Sequence, residues 1–458
     1  MSAPTLTPTP TVLASSTVTP TPTSASGGVP PDLSSRYQND LSQFGNLSGR
    51  VYQAANYGVK CDSVTDDTTA VQAAVQAANG GTLQFPAGTC LISSVVLDGL
   101  SVSIVGQGEG ATTFEQEPCS TCQAMFFVDY GTTTPQTEFH NLSFNGNYPN
   151  VTDWSSSTVE LRVDRFLADH VELYASRHNG IRLRTTTYAS IIQNSFFHDV
   201  AQHGSQLNQD TRMIQVDHEI ASNGDVWLIG STLQMTNPIP ASAQGGAGGF
   251  RSSDYNETRL LVWNNTFRNL GTDFPQEYLS AIDCYRDCDG SVIQGNQVYT
   301  SCYFMPIRVM RSNNVQVLNN VVSGCGVIGP DTDSGINAQG RSPDIPMQNL
   351  TVQGNTVQNL PGLAGIKGEF DADGEMSNVV VQGNAVSATG QGVALSYANG
   401  ITITANAYTN VTTPLVNIVN NAGPVTLTNN TCTPVVAFGT AVDLSGGTLT
   451  DSGNCWDG

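Results

Sequence analysis

One stretch near the N-terminus carries the clearest structural signal. Residues 56–88 have the sequence NYGVKCDSVTDDTTAVQAAVQAANGGTLQFPAG. Asp66 or Asp67 can cap a helix here, because short acidic side chains accept hydrogen bonds from the first free backbone N–H groups of a helix. Gly80 and Gly81 end that helix. Its apolar residues recur every three or four positions and therefore share one face: Val71, Ala74, Val75 and Ala78.

This stretch resembles the opening of the pectate-lyase-superfamily β-helix proteins, which include polygalacturonase-like hydrolases, phage tailspikes and mannuronan C5-epimerases. The resemblance rests on residues 56–88. It implies an all-β fold, a right-handed parallel β-helix whose N-terminal end is closed by a short capping α-helix. It also implies a polysaccharide groove along one strand of each coil, immediately before an Asn corner.

The rest of the chain supports this fold independently. Eight β-rich runs each lead into an Asn, at Asn194, Asn265, Asn296, Asn320, Asn355, Asn384, Asn406 and Asn430. From Asn265 onward the spacing varies between 22 and 35 residues, which is a solenoid period. Stacked Asn side chains can satisfy the buried polar groups of a tight turn. We therefore expect these Asn residues to be mostly structural.

The composition also predicts how the chain is divided. Residues 1–30 alternate Thr, Pro, Ser and Ala, a composition that cannot bury a core and that predicts an extended linker. Residues 31–458 are predicted to form a single β-helix domain. Within it we expect the cap motif at 50–92, the coils at 93–430 and the C-terminal end at 431–458.

One strand before each Asn corner, a second run alternates apolar and polar residues, so that alternate side chains point outward. Stacking these runs, ~4.8 Å per coil, predicts two outward columns. The first contains Glu160, Arg182, Gln215, Arg251, Asp283, Arg308, Asn337 and Lys367, and the second contains Arg162, Arg184, Asp217, Ser253, Tyr285, Met310, Gln339 and Glu369. Five of the sixteen positions are Arg, which favours an open groove for an anionic ligand.

Cleavage of a uronic-acid polysaccharide by β-elimination fits these columns and is the preferred hypothesis. Its catalytic candidates are Asp283, Tyr285, Arg308, Lys367, Arg251 and Asp217. Arginine can neutralise the uronate carboxylate by bidentate pairing, and Tyr285, Arg308 or Lys367 can exchange protons. The substrate-binding candidates are Arg182, Arg184, Gln215, Asn337, Gln339, Glu369 and His178. No cofactor is required for this reaction.

Other functions remain open. Asp217 and Asp283 would lie two coils apart, ~9.6 Å, close to the ~6.5–9.5 Å of an inverting hydrolase of polygalacturonase-like type. The epimerase signature Asp-Pro-His is absent, and the coils lack the polygalacturonase signatures Asn-Thr-Asp, Asp-Asp and Gly-His-Gly. Without these signatures the sequence does not determine the type of reaction, and a C5-epimerase and a non-catalytic glycan-binding, adhesin or tailspike-like β-helix are further alternatives.

Several residues beside the columns are secondary candidates. His198, His203 and His218 can transfer protons. Loop carboxylates can bind calcium, and aromatic residues on insertions can stack on sugar rings. The calcium candidates are Asp331, Asp333, Asp371, Asp373 and Glu375, and the aromatic candidates are Trp154, Tyr255, Phe274 and Tyr278.

Charge excludes some classes of partner. The 458 residues include 38 acidic and 17 basic side chains, a net charge of −21, which argues against nucleic acid. No apolar run reaches the ~18 residues of a membrane span. Fourteen of the 17 basic residues lie between Arg162 and Lys367, so positive charge is concentrated where the columns are predicted. An acidic polysaccharide is the partner we expect.

The ten cysteines are an even number and indicate an oxidised, extracellular chain. The local pairs Cys61 with Cys90, Cys302 with Cys325, and Cys432 with Cys455 are plausible. Cys119 and Cys122 form a C-x-x-C for which zinc is the alternative. Residues 1–10 lack the features of a secretory signal, so export requires a signal outside this sequence.

Overall fold

The computed structural model describes residues 31–45, 47–129, 131–152, 157–184, 188–200, 211–217, 224–236, 248–253, 259–270, 280–299, 305–324, 334–340, 347–369 and 376–457. The described part of the chain winds through successive coils, and each coil contributes strands to three parallel sheets. Every strand pairing in these sheets is parallel. The described chain is therefore a parallel β-helix.

The three sheets follow one another around each coil. The first sheet contains Val95–Val96, Phe126–Phe127, Val159–Arg162, Ile181–Arg184, Arg212–Asp217, Gly248–Ser253, Ser280–Cys284, Met305–Met310, Ser334–Gln339, the ends of Thr356–Glu369 and Ala385–Ser396, Val416–Val419 and Val442–Leu444. The second contains Val51–Gln53, Gly81–Gln84, Ser101–Val105, Gln136–Asn145, Phe166–Tyr174, Ser190–Gln193, Asp225–Ile229, Arg259–Trp263, Val292–Gln294, Gln316–Leu318, Met347–Gln353, Met376–Gln382, Ala398–Thr404, Pro424–Thr428 and Thr448–Ser452. The third contains Asp62–Asp66, Gly88–Ile92, Thr112–Gln116, the ends of Gln136–Asn145 and Phe166–Tyr174, Phe196–His198, Thr232–Gln234, Thr266–Arg268, Gln297–Tyr299, Val321–Ser323, the starts of Thr356–Glu369 and Ala385–Ser396, Ala407–Thr409 and Thr431–Thr433.

The capping helix predicted from residues 56–88 is present as Thr68–Ala77, after a 3₁₀ turn at Ala54–Tyr57. Its apolar face is buried as expected: Val71, Ala74, Val75 and Ala78. Asp67 occupies the N-cap position but makes no side-chain cap hydrogen bond, and Oδ1 of the preceding residue, Asp66, accepts the N–H of Thr68 at 2.9 Å. The carboxylate of Asp67 instead accepts the N–H groups of Lys60 and Cys61 and closes the preceding loop.

The Asn corner between the second and third sheets forms a continuous hydrogen-bonded ladder. At Asn320, Oδ1 accepts both the backbone N–H and the side-chain amide of Asn296, each at 2.9 Å, and Nδ2 donates to the carbonyl of Ile293. The same pattern joins Asn265, Asn296, Asn320, Asn355, Asn384, Asn406, Asn430 and Asn454. Each buried amide is thus both donor and acceptor along the axis.

The prediction that Asn194 is a member of this ladder was wrong. Asn194 has a positive φ of 50°, and its amide donates to Asp169. The next residue, Ser195, holds the ladder position: its backbone N–H donates to Ser231 Oγ, and the backbone N–H of Ser231 donates to Asn265 Oδ1. The ladder therefore begins with two serines, whose hydroxyls replace amides.

A helix that the sequence did not predict covers part of the second sheet. Pro31–Leu41 packs on an outward apolar column, where the Tyr37 ring lies 5.4 Å from the ring of Trp227. Asp40 Oδ2 accepts the indole N–H of Trp227 at 2.8 Å, and Arg36 pairs with Asp225. The covered column contains Leu167, Ile191, Trp227 and Leu261. A third helix, Phe438–Ala441, lies near the C-terminus.

Two of the predicted disulfides are confirmed, Cys61–Cys90 and Cys432–Cys455. Cys119 and Cys122 form a disulfide, so the alternative of a zinc site is wrong because both thiols are consumed. A further disulfide joins Cys284 and Cys288. The predicted pair Cys302–Cys325 lies outside the described residues, as does the predicted linker at 1–30.

Replacing Asn320 by Ala tests the ladder. The variant leaves the amides of Asn296 and the carbonyl of Ile293 buried without these partners, and each such group costs about 1–3 kcal/mol. We expect the free energy of unfolding to fall by about 2–4 kcal/mol in urea denaturation. Asn319→Gly is the control, because exposed Asn319 has a φ of 54° that glycine adopts freely, so its effect should stay below about 1 kcal/mol. Equal effects of the two substitutions would contradict the ladder's role.

Candidate functional site

The first sheet aligns the predicted first column as expected. Arg182 pairs in register with Gln215, Gln215 with Arg251, Arg251 with Asp283, and Asp283 with Arg308. The register extends from Glu160 at one end to Asn337 and Lys367 at the other. In the second column Arg162, Arg184, Asp217 and Ser253 are in register, and so are Met310, Gln339 and Glu369. Tyr285 lies one residue past the end of its strand.

The centre of the column is a buried charge cluster. Arg308 binds Asp283 with two hydrogen bonds, from Nε to Oδ1 at 2.8 Å and from Nη2 to Oδ2 at 2.7 Å. Arg212 Nη2 and Arg251 Nε each lie 3.7 Å from Asp283 Oδ2. Asp283 is 0% exposed, Arg308 2% and Arg251 7%. Three guanidinium groups therefore surround one carboxylate.

The cluster keeps Asp283 ionised. Burial by itself would raise the pKa of this carboxyl, but the charges of Arg308, Arg251 and Arg212 and the hydrogen bonds from Arg308 outweigh it, so that the pKa lies below its usual value. Asp283 is thus a carboxylate at neutral pH. A hydrolase needs a general acid whose pKa is raised, and the Asp217–Asp283 pair does not supply one at Asp283.

Tyr285 is the half-buried member of this cluster. Its ring lies 4.1 Å from the guanidinium carbon of Arg251 and 5.1 Å from that of Arg308, distances typical of cation–π contacts. The guanidinium carbon of Arg286 lies 4.7 Å from the ring centre, and Nη2 of Arg286 donates to the phenolic oxygen at 3.3 Å. The ring therefore lies between basic groups of the preceding and following coils.

The side chains in the N-terminal part of the columns are more accessible to solvent, and they also form ion pairs with one another. Arg182 Nε bonds to Asp217 Oδ2 at 2.6 Å, and Gln215 donates to the other oxygen of Asp217 at 2.7 Å. Arg184 pairs with Glu160 at 2.6 Å. The side chains of Arg182, Arg184 and Glu160 are about one quarter exposed, whereas Asp217 is buried.

Toward the C-terminus, Asn337 and Gln339 are buried, and Lys367 bonds to Glu369 at 3.0 Å. His178 is buried in the turn before Ile181–Arg184. The expectation of an open groove was therefore wrong for the central coils. Oppositely charged and polar side chains of neighbouring coils bond to one another along the axis, and the central members are removed from solvent.

Arg212 is the member of the cluster that the column alignment missed. It lies at the start of the strand Arg212–Asp217, outside the alternating run, and is 0% exposed. Its Nη1 donates to the carbonyl of Thr211 at 3.0 Å. The residue opposite it on the next coil is Gly248, where a Cβ atom would lie 2.3 Å from Cδ of Arg212. The sequence does contain a signal for this buried arginine, because a glycine follows it at the equivalent position of the next coil and leaves room for its side chain.

His198, a secondary candidate, belongs to a separate cluster on the third sheet. Its ring stacks on Tyr174, and its nitrogens contact Asp199 Oδ2 at 2.9 Å and Glu172 Oε1 at 3.3 Å. Burial lowers the pKa of His198, but hydrogen bonds to Asp199 and Glu172 raise it more, so that the net pKa is above its usual value. The imidazolium is thus stabilised by two carboxylates.

The remaining candidates are the potential metal ligands, the loop aromatic residues and two further histidines. Within the described ranges one group of potential ligands converges, Cys61, Asp67 and Cys90, but the two cysteines form a disulfide and Asp67 accepts backbone N–H groups. The calcium candidates, the aromatic candidates, His203 and His218 lie outside the described residues. No helix in the described part of the chain is long and apolar enough to cross a membrane.

Substituting Asp283 by Asn tests the charge cluster. Removing one partner of a buried ion pair leaves uncompensated charge, and we expect a loss of about 3–5 kcal/mol in the free energy of unfolding at neutral pH. Because the pKa of Asp283 is lowered on folding, this contribution is present above the unfolded pKa near ~3.9 and disappears as pH falls through the folded value. Exposed Asp443 on the same sheet is the control, and Asp443→Asn should change stability by less than about 0.5 kcal/mol. Similar losses in both variants would refute a special role for Asp283.

The His198 cluster predicts a pH-dependent contribution. Because the folded pKa of His198 is raised, its stabilisation is fully present below the unfolded pKa of ~6.5 and is lost as pH rises through the folded value. The pKa values of Glu172 and Asp199 are lowered, so their contribution is present above ~4 and is lost as pH falls. Thermal unfolding of His198→Gln should therefore show its largest deficit between about pH 5 and 6.5, shrinking at higher pH. His170→Gln, at a more exposed His–Asp pair, is the control, and a deficit independent of pH at His198 would contradict the expectation.

Comparison with protein families identifies the class of the chain. A family model described as rhamnogalacturonase A/epimerase, pectate lyase-like, matches residues 52–289. A second model, described as a right-handed β-helix region, matches residues 252–432. These matches confirm the predicted right-handed parallel β-helix and the resemblance to the pectate-lyase superfamily. A search of curated proteins finds no match.

Solved structures support the same fold. The pre-mature gene product 12 of bacteriophage phi29 has a TM-score of 0.55 at 14% identity, over 88% of this chain and 54% of the phage chain. The surface adhesin PfbA of Streptococcus pneumoniae has a TM-score of 0.55 at 13% identity, over 88% and 93%. The A-module of the mannuronan C-5 epimerase AlgE6 from Azotobacter vinelandii has a TM-score of 0.50 at 16% identity, over 88% and 98%.

At these identities the likeness concerns the fold alone, and this chain spans about half the length of the phage protein. The family match is stronger evidence, because it covers more than half of this chain. It includes the strands that carry Arg182, Arg251 and Asp283. The protein therefore belongs to the rhamnogalacturonase A/epimerase, pectate lyase-like family.

Proposed function

We propose that the protein is a secreted carbohydrate-active enzyme that cleaves a uronic-acid-containing polysaccharide by β-elimination. The observation that carries the proposal is the arrangement of Arg212, Arg251 and Arg308 around Asp283, with Tyr285 at its half-buried edge. Guanidinium groups are suited to bind carboxylates. Membership of the family and the disulfides of the chain agree with this class of function.

In the proposed reaction, the uronate carboxylate binds at the edge of the charge cluster. Tyr285 and Arg286 form that edge. Neutralisation of that carboxylate makes the C5 proton acidic. The phenolic oxygen of Tyr285 accepts the C5 proton while its own proton passes to water, the electron pair of the C–H bond forms the C4–C5 double bond, and the C4–O bond breaks. The leaving oxygen takes a proton from water, because Lys367 lies three coils further along the sheet, about 14 Å at ~4.8 Å per coil.

Asp283 has a supporting part in this reaction. Its two oxygens are engaged by Arg308, and its low pKa keeps it ionised. It fixes the Arg308 guanidinium beside the Tyr285 ring without contacting the sugar. Arg182 and Arg184, which are more exposed, are suited to hold further uronates along the polymer.

A second candidate is a non-catalytic glycan-binding β-helix. The observation that favours it is that Asp283 and Arg308 satisfy each other while almost fully buried, as in a structural ion pair. Under this alternative Tyr285 and the arginines bind an acidic glycan and no bond is broken. Inverting hydrolysis and C5-epimerisation give distinguishable products in the same assay.

The test is incubation with pectate, alginate and glucuronan while ultraviolet absorbance from unsaturated uronates is recorded. We expect absorbance to rise with one of these polymers. New reducing ends without absorbance indicate hydrolysis, altered uronate composition without shortening indicates epimerisation, and binding without any product indicates the glycan-binding alternative. Each of these three results rejects elimination.

The variant Tyr285→Phe assigns the proton transfer. Loss of the phenolic oxygen removes a general acid or base, so we expect kcat to fall by about 10²–10⁴-fold, with thermal stability close to that of wild type. Tyr299→Phe is the control, since Tyr299 is exposed on the third sheet. An active Tyr285→Phe protein would remove Tyr285 from the mechanism.

A further inference from the structure

The strand that carries Asp283 ends in a disulfide-closed loop. Ser280–Cys284 is followed by Tyr285, Arg286 and Asp287, and a disulfide joins Cys284 to Cys288. We call residues 284–288 the disulfide loop. Both of its cysteines are 0% exposed, so the disulfide lies inside the coil and the residues between the cysteines lie at the candidate site.

Both neighbouring coils anchor the disulfide loop. From the preceding coil, the carbonyl of Ser252 accepts the N–H of Tyr285 at 3.2 Å. From the following coil, Ser312 Oγ accepts the N–H of Cys288 at 3.0 Å and lies 3.3 Å from the sulfur of Cys284. The same hydroxyl donates to the carbonyl of Met310 at 2.8 Å, so it is itself fixed. Hydrogen bonds to neighbouring coils therefore hold both the beginning and the end of the loop.

The orientation of the Tyr285 side chain depends on these hydrogen bonds, because Tyr285 lies beyond the end of its strand. A residue within a strand is oriented by the ladder on both sides, whereas the side chain of Tyr285 is directed by the loop. Here the loop directs the ring between Arg251 of the preceding coil, at 4.1 Å, and Arg308 of the following coil, at 5.1 Å. Arg286, inside the loop, donates to the phenolic oxygen.

We propose that the Cys284–Cys288 disulfide and Ser312 position Tyr285 for the elimination reaction. This inference rests on the proposed function, in which Tyr285 is the catalytic residue and Cys284, Cys288 and Ser312 are positioning residues. The disulfide restricts the loop to the conformation that keeps the ring between Arg251 and Arg308. Small displacements of a proton-transfer group reduce the rate strongly, about 10²-fold for ~1 Å.

The first experiment compares two double variants that each remove one disulfide. Cys284→Ala/Cys288→Ala opens the disulfide loop, and we expect kcat on the polymer that wild type cleaves to fall by about 10-fold or more, with KM changed less than about 3-fold. Cys432→Ala/Cys455→Ala removes a disulfide at the C-terminal end, and its kcat should remain within about 2-fold of wild type. Wild-type kcat in the loop variant would overturn the proposal.

The second experiment follows Tyr285 without turnover. The protein has 14 tyrosines, and incorporation of 3-fluorotyrosine gives fluorine resonances among which that of Tyr285 is assigned by its loss in Tyr285→Phe. We expect this resonance to shift or broaden in the loop variant and to be unchanged in the C-terminal disulfide variant. An unmoved resonance refutes the positioning role, whereas absence of lyase activity in wild type refutes only the proposed function.

A third variant covers the case in which the loop variant does not fold, seen as collapse of all its fluorine resonances. Ser312→Ala retains the disulfide and removes the hydroxyl that fixes Cys288. We expect the Tyr285 resonance to move and kcat to fall by several fold with KM nearly unchanged. If the resonance and kcat both equal those of wild type, the proposal is rejected.

Discussion

Parallel pairing of successive coils is the constraint on which the rest of this structure depends. It brings equivalent residues of neighbouring coils ~4.8 Å apart, so each side chain meets its counterpart from the next coil. An amide can follow an amide indefinitely, as from Asn265 to Asn454, because it donates and accepts at once. A charge cannot follow a like charge without repulsion. The order Arg251, Asp283, Arg308 satisfies this requirement, so the alternation of sign stabilises the coils.

The sequence predicts those features of the fold that repeat. The Asn corner and the register of the first sheet recur in many coils, and so both were predictable apart from Asn194, where Ser195 takes the ladder position. The helix Pro31–Leu41 was not predicted, because it occurs once and its partner is a surface of the sheet. A signal for it does exist: Ile191-Ile192, Trp227-Leu228 and Leu261-Val262 are apolar at consecutive positions, as expected of a strand covered on both faces.

Burial at the candidate site could not be predicted from alternation. The alternation of apolar and polar residues predicts to which side of the sheet a side chain points. It does not predict whether other parts of the chain cover that side. Asp283 and Asp443 occupy equivalent outward positions of the first sheet, yet one is fully buried and the other exposed. For the same reason the alternation did not predict the role of Arg212, which lies outside the alternating run but contacts the cluster. The net charge of −21 likewise describes the whole chain and does not reveal three arginines around one carboxylate.

The helix Pro31–Leu41 has a consequence for how the solenoid unfolds. In a solenoid each coil contacts only its neighbours, so stability is a sum of local terms and the ends can fray independently. The apolar column beneath this helix comes from four successive coils, at Leu167, Ile191, Trp227 and Leu261. A single rigid element across four coils couples units that otherwise do not touch. The middle of the protein, where the arginine cluster begins, should therefore open as one cooperative block while the terminal coils exchange more freely with solvent.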